Sequence, residues 1–266
     1  MTCLSAHGLE GPSLALSVPV HLPDPYLMGV THGWATATGP RPDNQDRCAA
    51  GPTWAVVSDG AGGQPGGALA ATLTVDAVGS RLATAGPAPD EALVLRAVDA
   101  AHEAVRDRQA ADGRVATMAA TLTLAVAVEP GGRLWLVANV GDSPAWLVGP
   151  TVAVRVTEDH NAAAELVRAG VLTAEEGRRS PGRHLITRAI GAAEAPAADI
   201  ALVPLPRGGR LVLASDGIGV LNGEAIMEVV ADTPEPPTIA RRLVAEALAA
   251  GATDNVTVVV VGAGDP

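Results

Sequence analysis

The sequence predicts an α+β domain built in layers, and three observations predict it. Strand-like and helix-like segments come in blocks: two strands, two helices, four strands, a polar insert, a strand, two helices and a last strand. A parallel βαβ fold would alternate them. No internal repeat and no linker divides the 266 residues, and 48% hydrophobic residues suffice for one substantial core.

The elements follow in order. Residues 1–26 read as a Pro-containing lead segment, and the domain as 27–264. Within the lead, "SLALSVPVHL" at 13–22 is too short to span a bilayer, contains Pro19 and follows no basic residues, so it is neither a membrane span nor an export signal. "LMGVTHGWATAT" (27–38) and "TWAVVSD" (53–59) are short, β-branched and partly alternating, as strands are, and suit a hairpin or neighbouring pair. The Ala-rich stretches 65–83 and 90–111 read as helices, the second with Leu93, Val94, Ala97, Val98, Ala101 and Val105 at helical spacing. Strand signals return at 118–128, 133–140, 144–148 and 152–156 and read as an antiparallel meander. A section from about 158 to 197 has short helical pieces but no core of its own. "RLVLASDG", helices over 222–231 and 236–250, and the strand "NVTVVVVG" close the chain.

Acidic residues outnumber basic ones 29 to 18, for a formal charge of −11. That excludes a nucleic-acid footprint, which needs clustered Lys and Arg. Cys3 and Cys48 have no metal-ligand spacing and imply no disulfide scaffold. The expectation is a monomer in the reducing cytoplasm, without membrane or nucleic-acid partners.

One pattern recurs. An apolar run breaks into an acid beside glycine or another small residue at "VVSDG" (Asp59), "ANVGDS" (Asp142) and "VLASDG" (Asp216), and "ATDNVTV" sets Asp254 just before a strand. A single Asp at a strand end is most often a turn former. Four brought to one edge would repel one another unless a cation lay among them, and all-oxygen ligands select magnesium or manganese over zinc. Two such ions can acidify a shared water and hold a phosphoryl group. "GPRPDNQDR" supplies Arg41, whose planar fork fits phosphate oxygens, with Gln45 and Asp46 close behind. On spacing alone, a solvated surface turn is the better account of those residues.

Over about residues 28–262 the motifs "RPDNQD", "VSDGAGG", "NVGDSPAW", "LITRAIG", "LASDGI" and "DNVTVVVV" occur in an order that resembles the metal-dependent protein phosphatases of the 2C type. The resemblance implies a four-layer αββα sandwich, two antiparallel sheets flanked by helix pairs, with a metal centre at one edge. It implies hydrolysis of phosphoserine and phosphothreonine in proteins, the products of a serine/threonine kinase, by a metal-activated water. Asp59 would bridge two Mn2+ or Mg2+ ions, the Gly60 carbonyl would ligate one, and Asp216 and Asp254 would hold the other. Asp142 would match the position of a third, weaker ion, Asp46 would orient metal-bound water, and Arg41 would grip the phosphate. A flap would cover residues 160–185.

Three positions depart from the family pattern: Gln45 replaces a Glu, Pro144 an Arg and Ala61 a His. Gln45 is the sole support for a rival reading, a pseudophosphatase that binds phosphoproteins as a regulator. His160 and Arg188 fit a local hydrogen bond and a structural ion pair, and His32, His102 and His184 have no ligand spacing. Trp34, Trp54, Trp135 and Trp146 read as core.

Overall fold

A computed structural model of the chain describes residues 30–61, 66–84, 89–129 and 131–263; the lead segment expected over 1–26 lies outside these. Among the described residues, twelve strands run in the order β1 Val30–Ala37, β2 Arg47–Gly51, β3 Trp54–Ser58, β4 Gly60–Ala61, β5 Ala119–Ala120, β6 Leu122–Ala127, β7 Leu134–Val140, β8 Ala145–Val148, β9 Ala153–Arg155, β10 Asp199–Pro204, β11 Arg210–Ala214 and β12 Val256–Ala263. Helices α1 Gly67–Ala83 and α2 Glu91–Ala111 follow β4, α3 Ala162–Arg168 and α4 Ala174–Arg179 follow β9, and α5 Gly223–Ala231 and α6 Pro236–Ala249 precede β12.

The long strands form two antiparallel five-stranded sheets, ordered β1-β12-β11-β8-β9 and β10-β7-β6-β3-β2. Strand periodicity makes them inner layers. In β3, Trp54 and Val56 pack with α1 and α2, while Ala55 and Val57 face the other sheet. In β12, Val256, Val258 and Val260 pack with α5 and α6, while Val259 and Val261 face inward. Both faces are apolar, so each strand reads as an unbroken hydrophobic run. The result is the αββα sandwich, with three cores between four layers. No helix among the described residues is long and apolar enough to cross a membrane.

Two expected pairings do not form. The segment 27–38 is no neighbour of 53–59: β1 pairs with β12, and β3 lies in the other sheet between β2 and β6. The meander over 118–156 breaks in the middle, because β6 and β7 pair in one sheet and β8 and β9 in the other. The chain changes sheet through Gly141–Pro144, where Gly141 has φ +107° and Pro144 supplies no N–H for a ladder. Strands β2, β4 and β10 were not anticipated. "RCAAG" lacks β-branched residues, and β10 lies just after what read as polar insert.

Of the four tryptophans, Trp34, Trp54 and Trp135 are buried and Trp146 is half-buried against the α5–α6 core. His102 accepts from the Gly191 N–H at 3.2 Å, an anchoring role for the loop after Ile190. Cys48 is buried in β2, and no described cysteine is free.

Candidate metal centre

Strand direction brings the acids to one edge. Asp59 follows β3, Asp142 follows β7 and Asp216 follows β11, while Asp254 stands just before β12. The register aligns these ends, with Leu122 opposite Val140, Ala37 opposite Val256 and Ala214 opposite Val258. All eight residues singled out by sequence (Arg41, Gln45, Asp46, Asp59, Gly60, Asp142, Asp216, Asp254) gather at this edge.

A floor of amides and hydroxyls fixes them. Asn255, 5% exposed, accepts from the Gln45 N–H at 2.8 Å and donates to the Thr38 and Asp43 carbonyls at 2.8 and 3.0 Å, which pins the Arg41 loop to β12. Ser215 donates to Asp46 Oδ2 at 2.7 Å and accepts from the Thr257 N–H at 2.9 Å. Thr121 accepts from the Asp59 N–H at 2.9 Å and bonds Ser143 at 2.7 Å. Gly60 packs so tightly on the first turn of α1 that a Cβ there would stand 2.4 Å from the Gly67 carbonyl carbon. A Cβ at Gly67 would stand 2.6 Å from Gln45 Oε1, so the Gln45 side chain is lodged at the start of α1.

The electrostatics are those of crowded acids. Burial, then the charges of Asp46, Asp216, Asp142 and Asp254, push the Asp59 carboxyl well above its usual range. Burial raises Asp142 to about 7, helped by Asp216 and Asp159. Burial likewise raises Asp46 to about 6, against its bond from Ser215 and with Asp216 and Asp254 adding to the rise. Asp216 is raised by burial and by Asp254, and shares a hydrogen bond with Asp59. Asp46 Oδ1 and Asp216 Oδ1 are buried with no hydrogen-bond partner. Arg41 pairs with Asp254 Oδ2 at 2.7 Å and donates to the Thr253 carbonyl at 3.1 Å. As placed, no three His, Cys, Asp or Glu among the described residues stand within reach of one cation. Asp254 is turned to Arg41 and Asp59 to Asp216 instead.

Beside this edge, α3, α4 and a 3-10 turn at Pro181–His184 pack on one another. Their chain returns along residues 185–187, bonded to 160–162. His160 is 1% exposed; its ring touches the Gly141 N–H and Asp199, and Arg188 pairs with Asp199 at 2.8 Å, the hydrogen bond and ion pair expected for these residues. Two grooves lie apart from the acids. One of about 590 Å3 is on α4, from Leu172 to Ser180, and one of about 470 Å3 lies between Pro89 and Leu202.

Several residues here escaped the sequence reading. Asn255, Ser215 and Thr121 adjoin the motif acids in sequence or space, and a buried polar side chain next to a strand-end Asp was the available signal. Asp159 and Asp199 carried none. His184 acts electrostatically on Asp216 although it has no motif spacing.

The model of the family described as protein phosphatase 2C matches residues 42–250. The chain belongs to that family. Among protein phosphatase 2C relatives, the serine/threonine protein phosphatase PstP of Mycobacterium tuberculosis is 33% identical over 222 residues, 83% of this chain and 42% of PstP. The chain thus spans less than half the length of that curated relative. The PPM Ser-Thr phosphatase MsPP of Mycobacterium smegmatis, solved with cacodylate, superposes with a TM-score of 0.78 at 36% identity, covering 88% of this chain and 98% of MsPP. The catalytic domain of PstP, solved in complex with two manganese ions, superposes at 0.80 with 28% identity over 89% of this chain and 99% of that one.

Proposed function

We propose that this chain is a metal-dependent serine/threonine protein phosphatase that hydrolyses phosphoserine and phosphothreonine with manganese or magnesium as cofactor. The observation that carries the proposal is the convergence of five mutually repelling carboxylates on one edge, two of them with an orphaned buried oxygen. That donor set is all oxygen, as hard divalent cations require. Asp59, the Gly60 carbonyl, Asp216 and Asp254 would hold two ions and Asp142 a third. A bound pair would neutralise the carboxylates, acidify a water and polarise the phosphoryl group.

The chain's own residues supply the rest. Asp254, paired with Arg41 here, would serve as a ligand once parted from it, and Arg41 would then take phosphate oxygens with its fork. Asp46, fixed through Oδ2 by Ser215 and unpartnered at Oδ1, would orient the attacking water and accept its proton. Gln45 offers its side-chain oxygen as an acceptor near the start of α1. Residues 160–185 form a flap beside the cleft, a subdivision of the phosphatase domain at 27–264. The substrates are phosphoproteins made by a serine/threonine kinase in the cytoplasm. The regulator reading keeps Gln45 as its only support.

Phosphate release from a panel of phosphoserine and phosphothreonine peptides tests the proposal. Release should require manganese or magnesium and stop with chelator. A folded protein that releases none at any metal concentration overturns it.

A further inference from the structure

Asp142 sits in the turn where the chain changes sheet, and the peptide before it is held by one residue from both sides. The His160 N–H donates to the Gly141 carbonyl at 3.0 Å, and the Gly141 N–H donates to His160 Nδ1 at 3.1 Å. Gly141 has φ +107°, and a Cβ there would stand 2.6 Å from Thr121 Cγ2, so residue 141 has no room for a side chain of its own; Asn139 also donates to its carbonyl at 3.1 Å.

The ring can accept at Nδ1 only in the tautomer that carries its hydrogen on Nε2. Nε2 faces Asp199 Oδ2 at 3.1 Å, and Asp199 Oδ1 accepts from Arg188 at 2.8 Å. A carboxylate behind a histidine selects the tautomer and fixes the ring plane. The side chain of Asp199 is 51% exposed, so its burial contributes little to the fold. The His160 carbonyl accepts from the Thr187 N–H at 2.8 Å, and Asn161 bonds both Asp142 and the first turn of α3. One chain of contacts therefore runs from Arg188 through Asp199 and His160 to the Asp142 turn, and it also fastens the returning end of the flap.

We propose that Asp199 is a positioning residue: acting through the His160 tautomer, it sets the Asp142 turn and thereby the affinity of the cation held at Asp142. The inference rests on the metal-dependent reading above. None of the three residues is a proposed ligand, so the effect should fall on the Asp142 cation and spare the pair at Asp59, Asp216 and Asp254.

Calorimetric titration of the whole chain with manganese tests this without reference to turnover. Asp142→Asn first marks the step that belongs to Asp142. Asp199→Ala should weaken that step by about 10-fold or more, the usual range when a group behind a ligand is lost, and leave the tighter steps in place. Arg188→Met, which removes the ion pair to Asp199 and the 3.2 Å contact with His160 Nε2, should shift the same step in the same direction, with thermal unfolding of both variants still cooperative. The inference is overturned if no step depends on Asp142, if Asp199→Ala leaves that step unchanged, or if all steps weaken together. Wild-type protein that takes up no manganese overturns the phosphatase reading as well, whereas a normal wild-type titration reproduced by Asp199→Ala overturns only the inference.

Discussion

The acid edge and the flap beside it are held together in opposite ways. At the edge, the fixing bonds join residues far apart in sequence: Gln45 to Asn255, Asp46 to Ser215, Asp59 to Thr121. In the flap they are mostly local. Asn161 caps Ala164, Thr173 and Glu176 form a capping box, and Ser180 accepts from Gly182. Leu166, Val171 and Leu185 remain exposed there, so the flap buries little apolar surface of its own. Crowding charge requires preorganised, long-range support, because each carboxylate resists burial. A surface that only has to meet a partner does not. The edge should tolerate almost no change, and the flap a good deal.

The largest effect should come from Asp59→Asn. Four other acids act on Asp59, and replacing it removes both a ligand and the charge that offsets two cations. Hydrolysis of an aryl phosphate in saturating manganese should fall to background, with near-wild-type folding by circular dichroism. Full turnover by this variant would end the distinction between edge and flap.

Next comes Gln45→Glu. The carboxamide accepts one hydrogen bond where a carboxylate accepts more and carries charge. Its oxygen already stands at the start of α1, where the helix dipole favours an anion. Half-maximal activation should occur at about 10-fold to 100-fold less manganese, the range typical of groups that orient metal ligands. Turnover at saturation should be kept or raised; an unchanged manganese requirement would show that residue 45 does not reach the centre.

A smaller effect concerns stability in the presence of chelator. Burial raises Asp46 from 3.8 to about 6 and Asp142 from 3.8 to about 7. The folded state then binds more protons than the unfolded one across that interval, so the contribution of these two groups to stability is full below pH 3.8 and is lost as pH rises through about 6 and 7. Urea midpoints should be higher at pH 5 than at pH 7.5, and manganese should shrink or reverse the difference. A midpoint that rises with pH in chelator would mean that the acids are not crowded in solution.

The two regions also differed in how far sequence revealed them. Asp59, Asp142 and Asp216 were legible because each ends an apolar run, and Asp254 because it stands just before one, a conflict between local pattern and burial that structure alone would not demand. The layers were legible from the block order of elements. What pairs with what was not: β1 and β3 look like partners, yet the loop between them holds β2, whose "RCAAG" gives no strand signal. Nor could sequence place Asp199 behind His160, since 39 residues separate them and only the pairing of β10 with β7 brings them together. Asn255 was hidden in plain view beside Asp254, because its three bonds depend on a loop more than 200 residues earlier.

The smallest effect should come from the flap, and it should be selective. Trimming 172–181, "LTAEEGRRSP", removes α4 and much of the groove on it while leaving His160, Asn161 and the returning segment 185–187 in place. Those anchors, and not α4, carry the contacts to the Asp142 turn. An aryl phosphate needs only the edge, whereas a phosphopeptide must also lie along the neighbouring surface. Turnover of the aryl phosphate should therefore change little, while phosphopeptide KM changes severalfold. Equal changes for both substrates would place α4 in the chemistry and erase the contrast between a rigid edge and a replaceable flap.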